Sequence, residues 1–242
     1  MSFNFQTFKT RALTALIFVV LMLAGLLWNF WSFLVLFTVI HFGCWYEFVK
    51  LMKKIYGEKY FRYCLFGLIY ITMPILMLVN FYLTAIYNLN HSMDCLTWPK
   101  QVYTYTSHLP LVAITPVFII FSIWINDTMA YMVGSFIGKT PLTKISPKKT
   151  WEGTVGGIII TILVAAIFSE INMRQFFSSW LYIAGISAIF GTLGDLLESK
   201  LKRMADVKDS GSFMPGHGGF LDRFDSLLFA VPAVWVYVYF FL

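Results

Sequence analysis

Between residues 195 and 225 the chain reads DLLESKLKRMADVKDSGSFMPGHGGFLDRFD. Six of the protein's twelve acids fall there (Asp195, Glu198, Asp206, Asp209, Asp222, Asp225), with five of its eighteen bases (Lys200, Lys202, Arg203, Lys208, Arg223) and one of its four histidines, His217. This is the inventory of metal-assisted phosphorus chemistry. Mg2+ takes one or two carboxylates and completes its shell with water and phosphate oxygens. Lysines and arginines then neutralise the charge that develops as a phosphoryl or nucleotidyl group moves. A solvated loop between two membrane helices would account for the charges alone, but not for their arrangement. Asp222 and Asp225 lie three apart, on one face if the run after Gly219 is helical. The Pro215-Gly216-His217-Gly218-Gly219 turn before them lets backbone approach a ligand closely. Asp195, Ser199 and Lys202 share a face at i, i+4 and i+7 if the preceding helix continues through them. His217 reads either as a hydrogen-bonded turn residue or as a donor to a phosphate or a leaving pyrophosphate.

A second group lies upstream. Asp127 ends one apolar run and opens another; an acid in such a place costs roughly 2.5–3.5 kcal/mol at a helix centre, so it is paired, functional, or marks the interfacial end of a span. In Ser146-Pro147-Lys148-Lys149-Thr150-Trp151-Glu152-Gly153, two lysines precede a helix start with Thr150 as its N-cap and Gly153 in its first turn. Helix-start N–H groups beside lysines make an anion site; an ordinary positive-inside loop would explain the lysines only. Gly134-Ser135-Phe136-Ile137-Gly138-Lys139-Thr140 is not a nucleotide-cradling P-loop, because three residues rather than four separate the glycines and Pro141 follows where a helix must open. Gly134/Gly138 and Gly153/Gly157 are GxxxG pairs, which serve helix packing more often than catalysis and leave room for a homodimer. His41, His91 and His108 are scattered without a zinc pattern. The three cysteines, Cys44, Cys64 and Cys95, form neither a disulfide framework nor a metal set.

The elements that must hold these groups are membrane helices. The chain has 242 residues, 59% of them hydrophobic and only 12% charged, with a mean hydropathy of +0.73; soluble domains run at about 25% charged. No cleavable signal peptide is expected. Apolar runs at 12–27 and 31–49 are separated by a tight turn at Trp28-Asn29-Phe30. A basic stretch at 50–62 follows, either a connector or a segment drawn to anionic lipid. Further spans are predicted at 63–79, loosened near Pro74, and at 109–125, with an external loop over 80–108 that contains an Asn90-His91-Ser92 sequon. Residues 128–138 are too short for a core of about 30 Å and predict a half-helix or re-entrant piece. After the lysine-rich loop 139–150 come spans at 151–169, 179–197 and 227–242. The expected fold is an all-α polytopic membrane protein of about seven and up to nine transmembrane helices, some broken. It divides into N-terminal helices (1–125) and a C-terminal catalytic region (126–242). With the N-terminus cytoplasmic, sixteen of the eighteen bases lie inside and only Lys100 and Arg174 outside, a strong positive-inside bias. The net charge of +6 is thus explained by topology and anionic lipid rather than by nucleic acid. The acid cluster and both lysine-rich loops fall on the cytoplasmic face.

Three blocks resemble the phosphatidate cytidylyltransferases (CDP-diacylglycerol synthases). The signature is similar to Ser199-x-Leu201-Lys202-Arg203, four residues, Lys208-Asp209-x-Gly211, then Pro215-x-His217-Gly218-Gly219-Phe220-x-Asp222-Arg223-Phe224-Asp225. The others are Asn126-Asp127-x-x-Ala130-Tyr131 and 146–153. Met214, where the family pattern has Leu, Ile or Phe, is a departure that touches packing only. The resemblance implies transfer of a cytidylyl group from CTP to phosphatidic acid, giving CDP-diacylglycerol and pyrophosphate, with Mg2+. It implies Asp222, Asp225 and Asp195 as metal ligands, and His217 assisting the leaving group. Lys148, Lys149, Lys202, Arg203, Lys208 and Arg223 would bind phosphates, with Ser146, Lys200, Asn126, Asp127 and Ser199 lining the substrate phosphates. A CTP-dependent polyprenol or phytol kinase is the nearest enzymatic rival. A transporter with broken helices is the rival of another class, though no internal repeat supports it. The compact chain points to a bacterial inner membrane rather than the endoplasmic reticulum.

Overall fold

The computed structural model describes residues 5–93, 109–172, 174–213 and 218–242, with side chains described for 12–84 and from 114 onward within these ranges. Among the described residues the regular secondary structure is helical, with non-helical loops over 138–150 and 205–213 and an isolated bridge between Pro141 and Thr150. The helices are α1 (Phe5–Leu27), α2 (Phe30–Tyr56), α3 (Tyr60–Cys64), α4 (Met73–Met93), α5 (Leu109–Ile137), α6 (Trp151–Asn172), α7 (Phe177–Met204) and α8 (Leu221–Phe241). Among the described residues, five stretches are long and apolar enough to cross a membrane: Phe30–Cys64, Ile114–Ile137, Trp151–Asn172, Arg174–Met204 and Leu221–Phe241. Shorter apolar helices cover Ala12–Leu27 and Leu68–Thr84.

Several boundaries follow from local chemistry. The turn between α1 and α2 forms because Asn29 caps α2: its Oδ1 accepts from Ser32 N at 2.9 Å, and Ser32 Oγ accepts from Asn29 N at 3.1 Å, a reciprocal capping box. The loosening near Pro74 is a π-helical turn over Leu68–Thr72. Proline at position 74 offers no N–H to the carbonyl of Tyr70, four residues back, and its ring crowds that carbonyl; the wider π register accommodates both. α7 ends in a Schellman-type turn. Val207 N–H reaches Lys202 O at 2.9 Å, and Asp206 takes the left-handed conformation at φ 51°, which the short polar side chain of aspartate tolerates.

Two expectations are corrected. Residues 128–138 are not a separate half-helix: α5 runs unbroken for 29 residues, about 43 Å at 1.5 Å per residue. Asn126 does not interrupt it, because its amide donates to Thr192 Oγ1 on α7 at 3.3 Å. Thr128 back-bonds to Trp124 O at 2.8 Å. The first part of the loop expected over 80–108 is helix instead, since α4 continues to Met93. The basic connector is largely helical, with α2 extending to Tyr56 and a single 3-10 turn at Gly57–Lys59 before α3. Lysines and arginines are good helix formers, and their charge does not stop a helix whose apolar face continues.

The chain forms two compact units, Met1–Thr72 with Leu197–Asp225, and Met73–Leu196 with Ser226–Leu242. In the first, Phe33, Phe37, Ile40, Cys44, Phe48 and Leu51 make a buried stripe along α2. In the second, α5 and α6 approach through glycines. A Cβ on Gly153 would lie 2.7 Å from Ala130 O and 2.9 Å from Gly134 Cα. One on Gly157 would lie 2.8 Å from Ala130 Cβ and 2.9 Å from Asn126 O. The GxxxG pairs are thus used for packing within the chain. Cys44 and Cys64 are free and buried; Cys95 and the Asn90-His91-Ser92 side chains lie outside the described residues.

Candidate active site

The candidate residues fall into two sets, one in each compact unit. The first is built where α7 ends and α8 begins. α8 starts at Leu221, so Asp222 and Asp225 occupy its first turns at the i, i+3 spacing. α7 continues to Met204, so Ser199 and Lys202 share a helix face with Asp195, which itself belongs to the second unit. Lys202 Nζ stands between two carboxylates. It is 2.6 Å from Asp222 Oδ1 and ion-paired with Glu198 Oε2 one turn back. Glu198 is fully buried, and its Oε1 has no hydrogen-bond partner.

Asp222 is fixed on its other side by backbone. Its Oδ2 accepts from Gly219 N at 2.7 Å and Ser210 N at 2.9 Å, with the Ser210 hydroxyl at 3.0 Å. Gly218 has φ 84°, and a Cβ there would lie 2.6 Å from that same oxygen. Only glycine satisfies both the left-handed backbone and the close approach. Asp225 is buried. Lys200, Arg203, Lys208 and Arg223 are exposed, and Arg203 also reaches Val207 O at 3.4 Å. Exposed lysine heads such as those of Lys200 and Lys208 present positive charge to water and to anions. His217 lies outside the described residues.

The second set is a cross-braced loop over 139–150. Leu142 N donates to Lys149 O at 2.7 Å and Trp151 N to Thr140 O at 2.9 Å. Glu152, in the first turn of α6, grips the other arm from Thr140 N at 3.1 Å and Thr140 Oγ1 at 2.8 Å. Thr150 caps α6 as its position predicts, accepting from Gly153 N at 3.1 Å. At the tip, Lys149 N donates to Ser146 O at 3.1 Å, closing a turn with Pro147 and the exposed Lys148 at its centre. Lys149 is ion-paired with Asp195. Asn126 is buried, with its Oδ1 unpartnered, and Asp127 beside it is exposed.

Among the described residues, no three His, Cys, Asp or Glu side chains are grouped so as to hold a metal by themselves. The acids of the first set still fit an ion that takes one or two carboxylates and leaves its remaining positions to phosphate and water. Glu198 offers a buried, unpartnered oxygen, and Asp222 Oδ1 already faces a cationic group.

Sequence reasoning missed Glu47. It is 3% exposed on α2 and accepts from the Ser210 hydroxyl at 2.6 Å and from Phe220 N and Leu221 N at 2.9 Å each. Its signal was available, because a lone acid inside an apolar run needs a partner or a function. That partner lies 163 and more residues further on, beyond the reach of any local pattern.

A model of the family described as "Cytidylyltransferase family" matches residues 63–241. The phosphatidate cytidylyltransferase of Bacillus subtilis (strain 168) is 51% identical over 114 residues, 46% of this chain and 42% of that protein. That of Staphylococcus saprophyticus is 49% identical over 114 residues, 46% of this chain and 43% of that one. Phosphatidate cytidylyltransferase 4, chloroplastic, of Arabidopsis thaliana is 50% identical over 107 residues, 43% of this chain and 27% of that protein. The matched stretch spans about two fifths of the length of the two bacterial relatives. Since the family model covers well over half of its residues, this chain belongs to the cytidylyltransferase family.

Proposed function

We propose that this protein transfers a cytidylyl group from CTP to phosphatidic acid, giving CDP-diacylglycerol and pyrophosphate. The observation that carries the reading is Lys202 held between Glu198 and Asp222, in the segment that also carries Arg203, Lys208 and Arg223. An oxygen of the phosphatidate phosphate attacks the α-phosphorus of CTP, and the bond from that phosphorus to the bridging oxygen of the β-phosphate breaks. The nucleophile is a phosphomonoester with a second pKa of about 6, as for phosphoserine, so at neutral pH it is largely a dianion and requires no strong base. The demand is for charge neutralisation between two polyanions. Lys148, Lys149, Lys200, Lys202, Arg203, Lys208 and Arg223 supply positive charge. Ser146, Ser199, Asn126 and Asp127 line the phosphates in this reading, and His217 donates a proton to the departing pyrophosphate.

Asp222 and Asp225, with Asp195, are the proposed ligands for Mg2+, and Glu198 adds a carboxylate to this set. When bound, the ion would supply further neutralisation of the phosphate oxygens. The proposed topology takes the five long spans with the helices at Ala12–Leu27 and Leu68–Thr84 as seven crossings. The acid cluster and both lysine-rich loops then face the cytoplasm of a bacterial inner membrane, in keeping with the distribution of bases.

The test uses the purified protein in detergent with phosphatidic acid, Mg2+, and CTP labelled separately at the α- and γ-phosphates. Label from the α position is expected in lipid and γ label in pyrophosphate. Label from the γ position in lipid would instead make the protein a lipid kinase. With no transfer of either from a folded protein, the enzymatic reading fails.

A further inference from the structure

The backbone entering α8 is gripped from α2. The Glu47 carboxylate takes the Ser210 hydroxyl and the backbone N–H groups of Phe220 and Leu221, and the surrounding backbone is fitted to it. A Cβ on Gly211 would lie 2.6 Å from the Glu47 carboxyl carbon, and one on Gly219 would overlap the carboxylate. One turn earlier on α2, a Cβ on Gly43 would lie 2.5 Å from the Phe220 ring. Three glycines are therefore required by one carboxylate and the aromatic ring beside it.

The groups Glu47 holds are the groups that hold Asp222. Ser210 gives its hydroxyl to Glu47 at 2.6 Å and its backbone N–H to Asp222 Oδ2 at 2.9 Å. Gly219 N–H goes to Asp222 Oδ2 at 2.7 Å, while the next two N–H groups along the chain go to Glu47. Burying a carboxylate costs several kcal/mol even after relaxation, and an apolar side chain would fill the same stripe of α2 without that cost. Glu47 lies outside every signature block, and its bonding is spent on backbone and a hydroxyl rather than on a base.

We infer that Glu47 is a positioning residue: it locks Ser210 and the 219–221 backbone so that Asp222 is presented in one orientation. The inference rests on the cytidylyl transfer proposed above. Glu47 touches no reacting group and acts through these two segments.

The experiment compares Glu47→Gln, Ser210→Ala and Ser210→Thr in the full chain. Glutamine keeps the shape but turns one acceptor into a donor facing donors. Measured are kcat and KM for CTP and phosphatidate per folded enzyme, thermal unfolding, and hydrogen exchange in peptides spanning 218–222. Partners that orient a ligand from behind typically cost 10–100-fold when removed, so kcat of Glu47→Gln should fall by about that factor. KM for phosphatidate should stay within about twofold, since the lost interaction is not one of ground-state binding. Ser210→Ala should fall in the same sense and Ser210→Thr should recover. The double variant should fall no further than the worse single one, as expected for residues acting through one network. Exchange at 219–221 should quicken in Glu47→Gln. Unchanged kcat in folded Glu47→Gln, whatever the loss of thermal stability, would overturn the inference and leave Glu47 a stabiliser of the fold. If Glu47→Gln does not fold, equal activity of Ser210→Ala and Ser210→Thr overturns it. If the unmodified chain transfers no cytidylyl group, the proposed reaction has failed; exchange then judges Glu47 by itself, and unaltered protection at 219–221 in Glu47→Gln overturns its role.

Discussion

Lys202 carries two duties at the residue scale. It is the cation paired with the buried Glu198, and it is also the partner of Asp222 Oδ1. Removing one partner from a buried ion pair typically costs about 3–5 kcal/mol, because the remaining charge is stranded. Lys202→Met is therefore expected to lower unfolding stability by roughly that amount and to abolish most turnover. Combining it with Glu198→Leu should restore much of the stability without restoring activity; thermal unfolding beside a turnover assay checks both. Asp222→Asn keeps the shape of a side chain held by Gly219 and Ser210 but loses its charge. A folded Asp222→Asn protein should lose activity by about 100-fold or more, and full activity would remove Asp222 from the metal role. The residues of this cluster were legible in the sequence because they crowd into 31 positions of otherwise apolar chain. Glu47 was not, because its partners are distant in sequence and near only in the fold.

At the element scale, the start of α6 does the most with the fewest residues. Thr150 caps it, Glu152 ties down the opposite arm of the loop, and Gly153 and Gly157 let α5 close in. Thr150→Ala should cost about 1 kcal/mol, the usual loss for an N-cap. Gly157→Val should cost about 1–3 kcal/mol, since its side chain would meet Ala130 and Asn126 O and overpack the seam. Both are measured by thermal unfolding in detergent. The cap and both glycine pairs were readable from local spacing. The continuity of α5 was not. Asn126-Asp127 looks like a span end when polarity is counted alone, and the bond that takes up the Asn126 amide N–H comes from Thr192 on another helix.

For the whole molecule, the placement of charge predicts orientation. On a background with the native cysteines replaced by alanine, Lys144→Cys should resist an impermeant maleimide in intact cells and react in inverted vesicles. Trp28→Cys should do the reverse. Labelling of both from the same side would overturn the seven-crossing layout. Apolar run length, the gathering of sixteen of the eighteen bases into four stretches and the spacing of Asp222 and Asp225 were settled by the sequence, because they depend on the order of residues and the helical period alone. Tertiary structure decided which carboxylates meet which cations, and which glycines make room for them. Lys149 pairs with Asp195 across 46 positions, Lys202 with Asp222 across 20. Glu47 holds a turn built 173 residues away. A hydrogen bond is specified by distance in space, and distance in space between remote segments is written only in how the helices pack.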